Sequence, residues 1–147
     1  MKLSIASDHG GFNLKTDVIK YLRTKGHDIV DRGCPGIESV DYPVYGSFVC
    51  DDVEKNNACY GVLICKTGIG MSIYANKCAG IRAGLVMNSE TAASSRAHND
   101  CNIICLAANF TDINAACHYI DIFINTPFEG GRHKRRINMI TEREKKL

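Results

Sequence analysis

Short apolar runs alternate with stretches whose apolar residues recur every three or four positions. Residues 2–7 (KLSIAS), 28–31 (DIVD), 62–64, 80–86 (GIRAGLV) and 102–107 (NIICLA) are runs of the first kind and predict buried strands. A helix is predicted over 12–25, with Leu14, Val18, Ile19 and Leu22 on one face and Gly26 as its stop. A second runs from Pro43, suited to a first helical position, to about Asn57. A short helix begins near Met71. Asn88 or Ser89 caps the next, through Ala97. Thr111 is expected to cap a long one carrying Ile113, Ala116, Cys117, Ile120, Phe123 and Ile124. Strand and helix alternate five times, which predicts an α/β fold: a five-stranded parallel sheet between two helical layers, a three-layer α/β/α sandwich. No linker, repeat or low-complexity stretch divides the chain, so residues 1–147 are expected to form one domain ending in a basic helix over about 132–146.

Composition narrows the class. With 147 residues, 45% hydrophobic and 23% charged, the chain suits one globular domain with a proper core. No apolar run approaches the ~20 residues that cross a bilayer. The first residues enter a strand pattern directly, so no signal peptide and a cytoplasmic location are expected. Eight cysteines, none in a CxxC pair, are then expected to be reduced. Residues 132–147 carry seven Lys/Arg and two Glu, a net +5, which leaves −3 on residues 1–131 of a total of +2. Aromatic residues do not interleave with this basic segment, so nucleic acid is a poor expectation and a small anion a better one.

Candidate chemistry gathers at strand ends. The strand over 62–64 stops at Cys65-Lys66-Thr67-Gly68-Ile69-Gly70-Met71-Ser72, a thiol where a strand gives way to a helix. Ligands of open α/β sheets bind outside the carboxyl ends of strands. The turn's N–H groups would face an anion there, and positive dipole ends would favour the thiolate. A buried, inert thiol is the plainer alternative. The first strand ends in Asp8-His9-Gly10-Gly11. Asp8 suits a helix cap, whereas His9 in a Gly-Gly turn has no packing purpose. His98-Asn99-Asp100 precedes its strand, which puts it on the opposite sheet edge and suggests a site completed by another subunit. Arg132 and Arg136 share a helix face at a spacing that suits a phosphate, or simply solvent. His27, His118, Cys101 and Cys105 read as structural. The chain has no GxxxxGK[ST] loop, no strong GxGxxG signature, no HExxH and no zinc-spaced Cys/His cluster. Met71 stands where a cysteine phosphatase needs arginine.

Asp8-His9-Gly10-Gly11, Asp41-Tyr42-Pro43, Cys65-x-Thr67-Gly68-x-Gly70, Asn76-Lys77, Gly80-Ile81-Arg82, His98-Asn99-Asp100 and Glu129-Gly130-Gly131-Arg132-His133 follow one another in this order. Across nearly the whole chain this pattern resembles the RpiB/LacAB sugar-phosphate isomerase family. The resemblance implies a Rossmann-like sandwich, a homodimer with shared active sites (or a tetramer of such dimers), and no metal or other cofactor. It implies interconversion of ribose 5-phosphate and ribulose 5-phosphate, with a six-carbon aldose phosphate, of the allose or galactose 6-phosphate type, as the alternative substrate. Cys65 then matches the base that moves a proton through an enediolate. His98 matches the ring-opening residue, with Thr67 assisting. The main-chain N–H groups of residues 67–72, including Gly68, Ile69, Gly70, Met71 and Ser72, match an anion hole. Asp8 and Asn99 match sugar-hydroxyl contacts, and Tyr42 a pocket wall. His9, Arg132 and Arg136 match phosphate ligands, some from the partner chain. Lys66 stands where the family usually has glycine: a left-handed backbone there would strain a lysine, and its charge would favour the Cys65 thiolate. A phospho-ligand sensor with an inert thiol is the non-enzymatic alternative.

Overall fold

The computed structural model describes residues 1–146. The strands are β1 (Lys2–Ser7), β2 (Asp28–Asp31), β3 (Tyr60–Cys65), β4 (Ala83–Val86) and β5 (Ile103–Ala107). The helices are α1 (Phe12–Thr24), α2 (Tyr42–Glu54), α3 (Ile69–Ala75), α4 (Ser89–Ala97), α5 (Ile113–Asn125) and α6 (Gly131–Glu144). All pairings are parallel, in the order β2-β1-β3-β5-β4. The chain leaves β1 toward β2 on one side and later returns to β3 on the other. The β1/β3 boundary is therefore a switch point, where a crevice opens at the carboxyl ends of the strands.

The period of two along each strand sorts its side chains onto two layers. Val62 and Ile64 of β3 join Val18, Leu22, Ile120 and Phe123 beneath α1, α4 and α5. Leu63 and Cys65 face the other way and join Val49, Met71, Ala75 and Cys105 beneath α2 and α3. Each large apolar side chain buried this way contributes roughly 1.5–3 kcal/mol. The α/β/α sandwich expected from the sequence is the fold observed.

Several boundaries differ, each for a local reason. The long helix α5 is capped by Asp112, whose side chain accepts from the Ala115 N–H, while the neighbouring Thr111 is buried. Pro43 occupies the second position of α2, not the first. β4 starts at Ala83 because the main-chain N–H groups of residues 80 and 82 go to side chains: that of Gly80 to Glu144 and that of Arg82 to Asn102 Oδ1. Lys15 joins the inward stripe of α1, while Leu14 packs half-buried against the same core. Lys15 is 2% exposed, and its ammonium meets Asp31 Oδ1 at 2.6 Å and the Cys34 carbonyl at 3.1 Å. α6 touches the body sparingly: only His133 and Ile137 of it are buried.

Candidate active site in two halves

The first half stands at the β1/β3 switch point. Ser7 pairs with Ile64, so Asp8 emerges beside Cys65. The Asp8 N–H donates to the Ile64 carbonyl (3.1 Å), and its Oδ1 accepts from the Gly11 N–H (3.0 Å). Asp8 therefore caps the turn over His9–Gly11. The Val40 N–H donates to Nδ1 of His9 at 3.2 Å. A ring nitrogen that accepts carries no proton, so the His9 proton sits on Nε2 and that edge is a donor.

The loop after β3 is shaped by close approach. Gly68 has φ = 71°, and a Cβ there would lie 2.5 Å from Leu85 Cδ1. A Cβ at Gly70 would lie 2.8 Å from Cζ of Tyr42, whose ring covers the loop. Thr67 Oγ1 accepts from the Ile69 N–H (3.3 Å), and the Ser72 N–H is taken by the Gly68 carbonyl (3.0 Å). Among the described residues the N–H groups of Thr67, Gly68, Gly70 and Met71 find no acceptor, so four of the six donors of residues 67–72 are free. Among the described residues only Asn56 and Asp100 depart from glycine at positive φ, so Lys66 carries no such strain. Its side chain lies against Gly10, beside His9.

Cys65 ends β3 at 5% exposure, in contact with the α2/α3 apolar layer. Four other thiols are held from ionisation by burial. Burial pushes Cys101 and Cys117 up to about 11 and also raises Cys105 and Cys50, Cys50 with added repulsion from Cys78. Those four are inert at neutral pH.

The second half lies at the opposite edge. The Gly61 N–H donates to the Asn102 carbonyl, which places the start of β5 four residues before Cys65. At ~3.3 Å per residue that is roughly 13 Å along the strand. His98, at the end of α4, lies beyond it, as expected from its place before its strand. The turn after it is fastened by Asp100, which pairs with Arg82 (3.1 Å) and Arg96 (2.8 Å). Arg96 is buried, donates to the Cys101 carbonyl and lies over the Tyr60 ring. His98 and Asn99 are thus left exposed on a rigid corner. Glu129 N–H donates to the Ala97 carbonyl, which brings the start of α6 to this corner. There His133, to which the sequence reading gave no role, stacks on His98 with centroids 4.5 Å apart. Burial, then His98, lowers the His133 pKa. Arg132 and Arg136 project from α6, exposed and without an ion-pair partner among the described residues. His98, Glu129 and His133 are the one group among the described residues that could hold a metal.

The fold thus gathers Asp8, His9, Tyr42, Cys65 and the loop of Thr67, Gly68, Ile69, Gly70, Met71 and Ser72 at one edge. It gathers His98, Asn99, Arg132 and Arg136 toward the other. A cleft of about 790 Å³ lies between β4, α4 and α6, and of all these residues it touches only Asn99.

A family profile described as Ribose/Galactose Isomerase matches residues 3–140. The chain belongs to that family. It is 37% identical over 145 residues to ribose-5-phosphate isomerase B of Escherichia coli, covering 99% of this chain and 97% of that one. It superposes on ribose-5-phosphate isomerase B of Clostridium thermocellum with a TM-score of 0.98 and 44% identity, covering 99% of each chain. It also superposes on that of Mycoplasma genitalium with bound ribulose-5-phosphate, with a TM-score of 0.95 and 40% identity over 99% of this chain and 97% of that one. The chain is accordingly an isomerase with the Rossmann-like fold of those structures. Among the described residues no helix is long and apolar enough to cross a membrane.

Proposed function

We propose that the chain interconverts ribose 5-phosphate and ribulose 5-phosphate, in a site made from the first half of one copy and the second half of another. The observation that carries the reading is the convergence of Asp8, His9, Cys65 and the four free N–H groups of the loop after Cys65 on the β1/β3 switch point. His98 of one copy, with Thr67 of the other, moves a proton from the anomeric hydroxyl to the ring oxygen and so opens the furanose. Cys65, as thiolate, takes the proton from C2 of the open aldose. The C–H electrons become the C1–C2 double bond, and the charge collects on O1. The free N–H groups of Thr67, Gly68, Gly70 and Met71 face that charge, and a preorganised donor of this kind is worth roughly 10²–10³ in rate. Return of the proton to C1, with O2 giving its proton and O1 taking one, yields the ketose. No step requires a metal or a nucleotide.

Substrate contacts follow from charge and reach. The Nε2–H of His9 donates to the phosphate, and Arg132 and Arg136 of the second copy neutralise it. Asp8 and Asn99 hold sugar hydroxyls, and the Tyr42 ring closes the wall. A homodimer is supported by what one chain leaves uncovered. Ile69, Ile73, Leu85 and Met87 are 36–57% exposed beside the loop that follows Cys65. Apolar residues at that place suit a second copy better than water.

A coupled isomerase assay on the wild type and Cys65→Ala, with five- and six-carbon aldose phosphates, tests the reading. The variant is expected to lose roughly 10²–10⁴-fold in kcat while still binding substrate. Retained turnover would remove Cys65 from its role. A higher kcat/KM on allose or galactose 6-phosphate would move the substrate, not the mechanism.

A further inference from the structure

Two imidazoles and a carboxylate meet where the end of α4 faces the start of α6. Nε2 of His133 lies 3.4 Å from Glu129 Oε2, and Nε2 of His98 lies 3.8 Å from the same oxygen. One ligand atom from each of the three falls within 4.8 Å of the others. Neither contact has the length of a good hydrogen bond. In a tetrahedral zinc site with bonds of about 2.0–2.1 Å, neighbouring ligand atoms stand roughly 3.3 Å apart. Two of the three separations are therefore near what the ion needs.

The remaining adjustment is within reach of the side chains. The two rings are nearly parallel, at 10°, and must tilt toward each other for both lone pairs to meet one ion. His133 is held at 9% side-chain exposure, whereas His98 (44%) and Glu129 (58%) are free to turn. The backbone fixes the spacing: Glu129 N–H on the Ala97 carbonyl, His133 N–H on the Gly130 carbonyl, both 3.0 Å. Two nitrogens and one oxygen suit Zn²⁺, whereas Mg²⁺ and Ca²⁺ take oxygen sets. Arg132 and Arg136, on the same helix, oppose any cation, which further favours an ion that bonds strongly to imidazole.

We propose that His98, Glu129 and His133 bind Zn²⁺, with water as fourth ligand, and that the bound ion inhibits the enzyme. The ion is an inhibitor and not a cofactor. A zinc-bound Nε2 has no lone pair left to move protons in ring opening. The inhibition rests on the role given to His98 above; the binding does not.

Cobalt(II) serves as the coloured probe for binding, and zinc chloride as the inhibitor, on the full chain with its thiols reduced. The expected result is one Co²⁺ per chain with tetrahedral visible bands and no sulfur-to-metal charge-transfer band. Glu129→Gln is expected to weaken binding at least about tenfold, as losing even an outer partner does. It leaves the zinc-free rate unchanged and raises the inhibitory zinc concentration by the same factor. A chelator restores activity. No uptake, a thiolate charge-transfer band, or equal affinity in Glu129→Gln overturns the site and leaves His98's role untouched. Cobalt bound as described with zinc-insensitive turnover overturns the inhibition, and with it His98's part in ring opening.

Discussion

The two ends of the sheet are built on different plans. At the carboxyl end, Asp8, His9 and the loop after Cys65 are locked by main-chain bonds and glycine contacts, and the Cys65 thiol is nearly covered. At the other end, His98, Asn99, Arg132 and Arg136 stand exposed on a corner that Asp100 and Arg96 make rigid. On the proposed reading, one half supplies the base and the N–H donors but no phosphate arginine, and the other supplies guanidiniums and an imidazole but no base for carbon. The sheet holds them apart by about four residues of strand, roughly 13 Å, and bending will not close that gap. Complementary halves at a fixed separation are what a two-fold symmetric pair requires, because symmetry brings each half against its opposite in the other copy.

Three variants sharpen this contrast. The largest effect belongs to His98→Ala, expected to lower kcat on the ring-form substrate roughly 10²-fold or more while leaving the fold intact; an unchanged rate would strip the second half of its chemistry. Next comes Arg136→Ala, expected to raise KM about tenfold with kcat held, because a phosphate contact binds ground and transition states alike. A falling kcat at constant KM would instead place the arginine near the reacting carbons. The smallest effect lies outside both halves. Arg32 holds the Asp52 carboxyl below its usual range, aided by Ser4, and the side chain is 5% exposed. Its stabilisation is complete above the unfolded value of about 3.9 and is lost as pH falls through the lower folded one. Asp52→Asn is expected to cost about 1–3 kcal/mol at pH 7 without changing kcat/KM, and to melt like wild type at low pH. A gap between the two melting curves that stays constant with pH would contradict this.

What could be read from the chain follows the range of the forces involved. Periodicity is local, so the strands, their alternation with helices and the strand-end positions of His9 and Cys65 were legible. Lys15 was also in reach: it sits three, four and seven residues before Val18, Ile19 and Leu22. Lysine on that stripe reads as an error until Asp31 and the Cys34 carbonyl supply the partners. Thr111 and Asp112 are both good caps, and only the fold decides that one is buried while the other binds the helix. The stacking of His98 on His133 joins residues far apart in sequence through a backbone bond from Glu129 to Ala97. No spacing rule reaches that contact. The strand order, with β5 between β3 and β4, was likewise invisible, though it determines that Cys65 ends a central strand.

Complementation between two inactive chains tests the shared site most directly. Cys65→Ala and His98→Ala are co-expressed, and isomerase activity is compared with each variant alone. Random pairing makes half the dimers mixed, and each mixed dimer has one intact site of two, so about a quarter of wild-type activity is expected. A mixture as inactive as its parents would contradict the account and confine each site to a single chain.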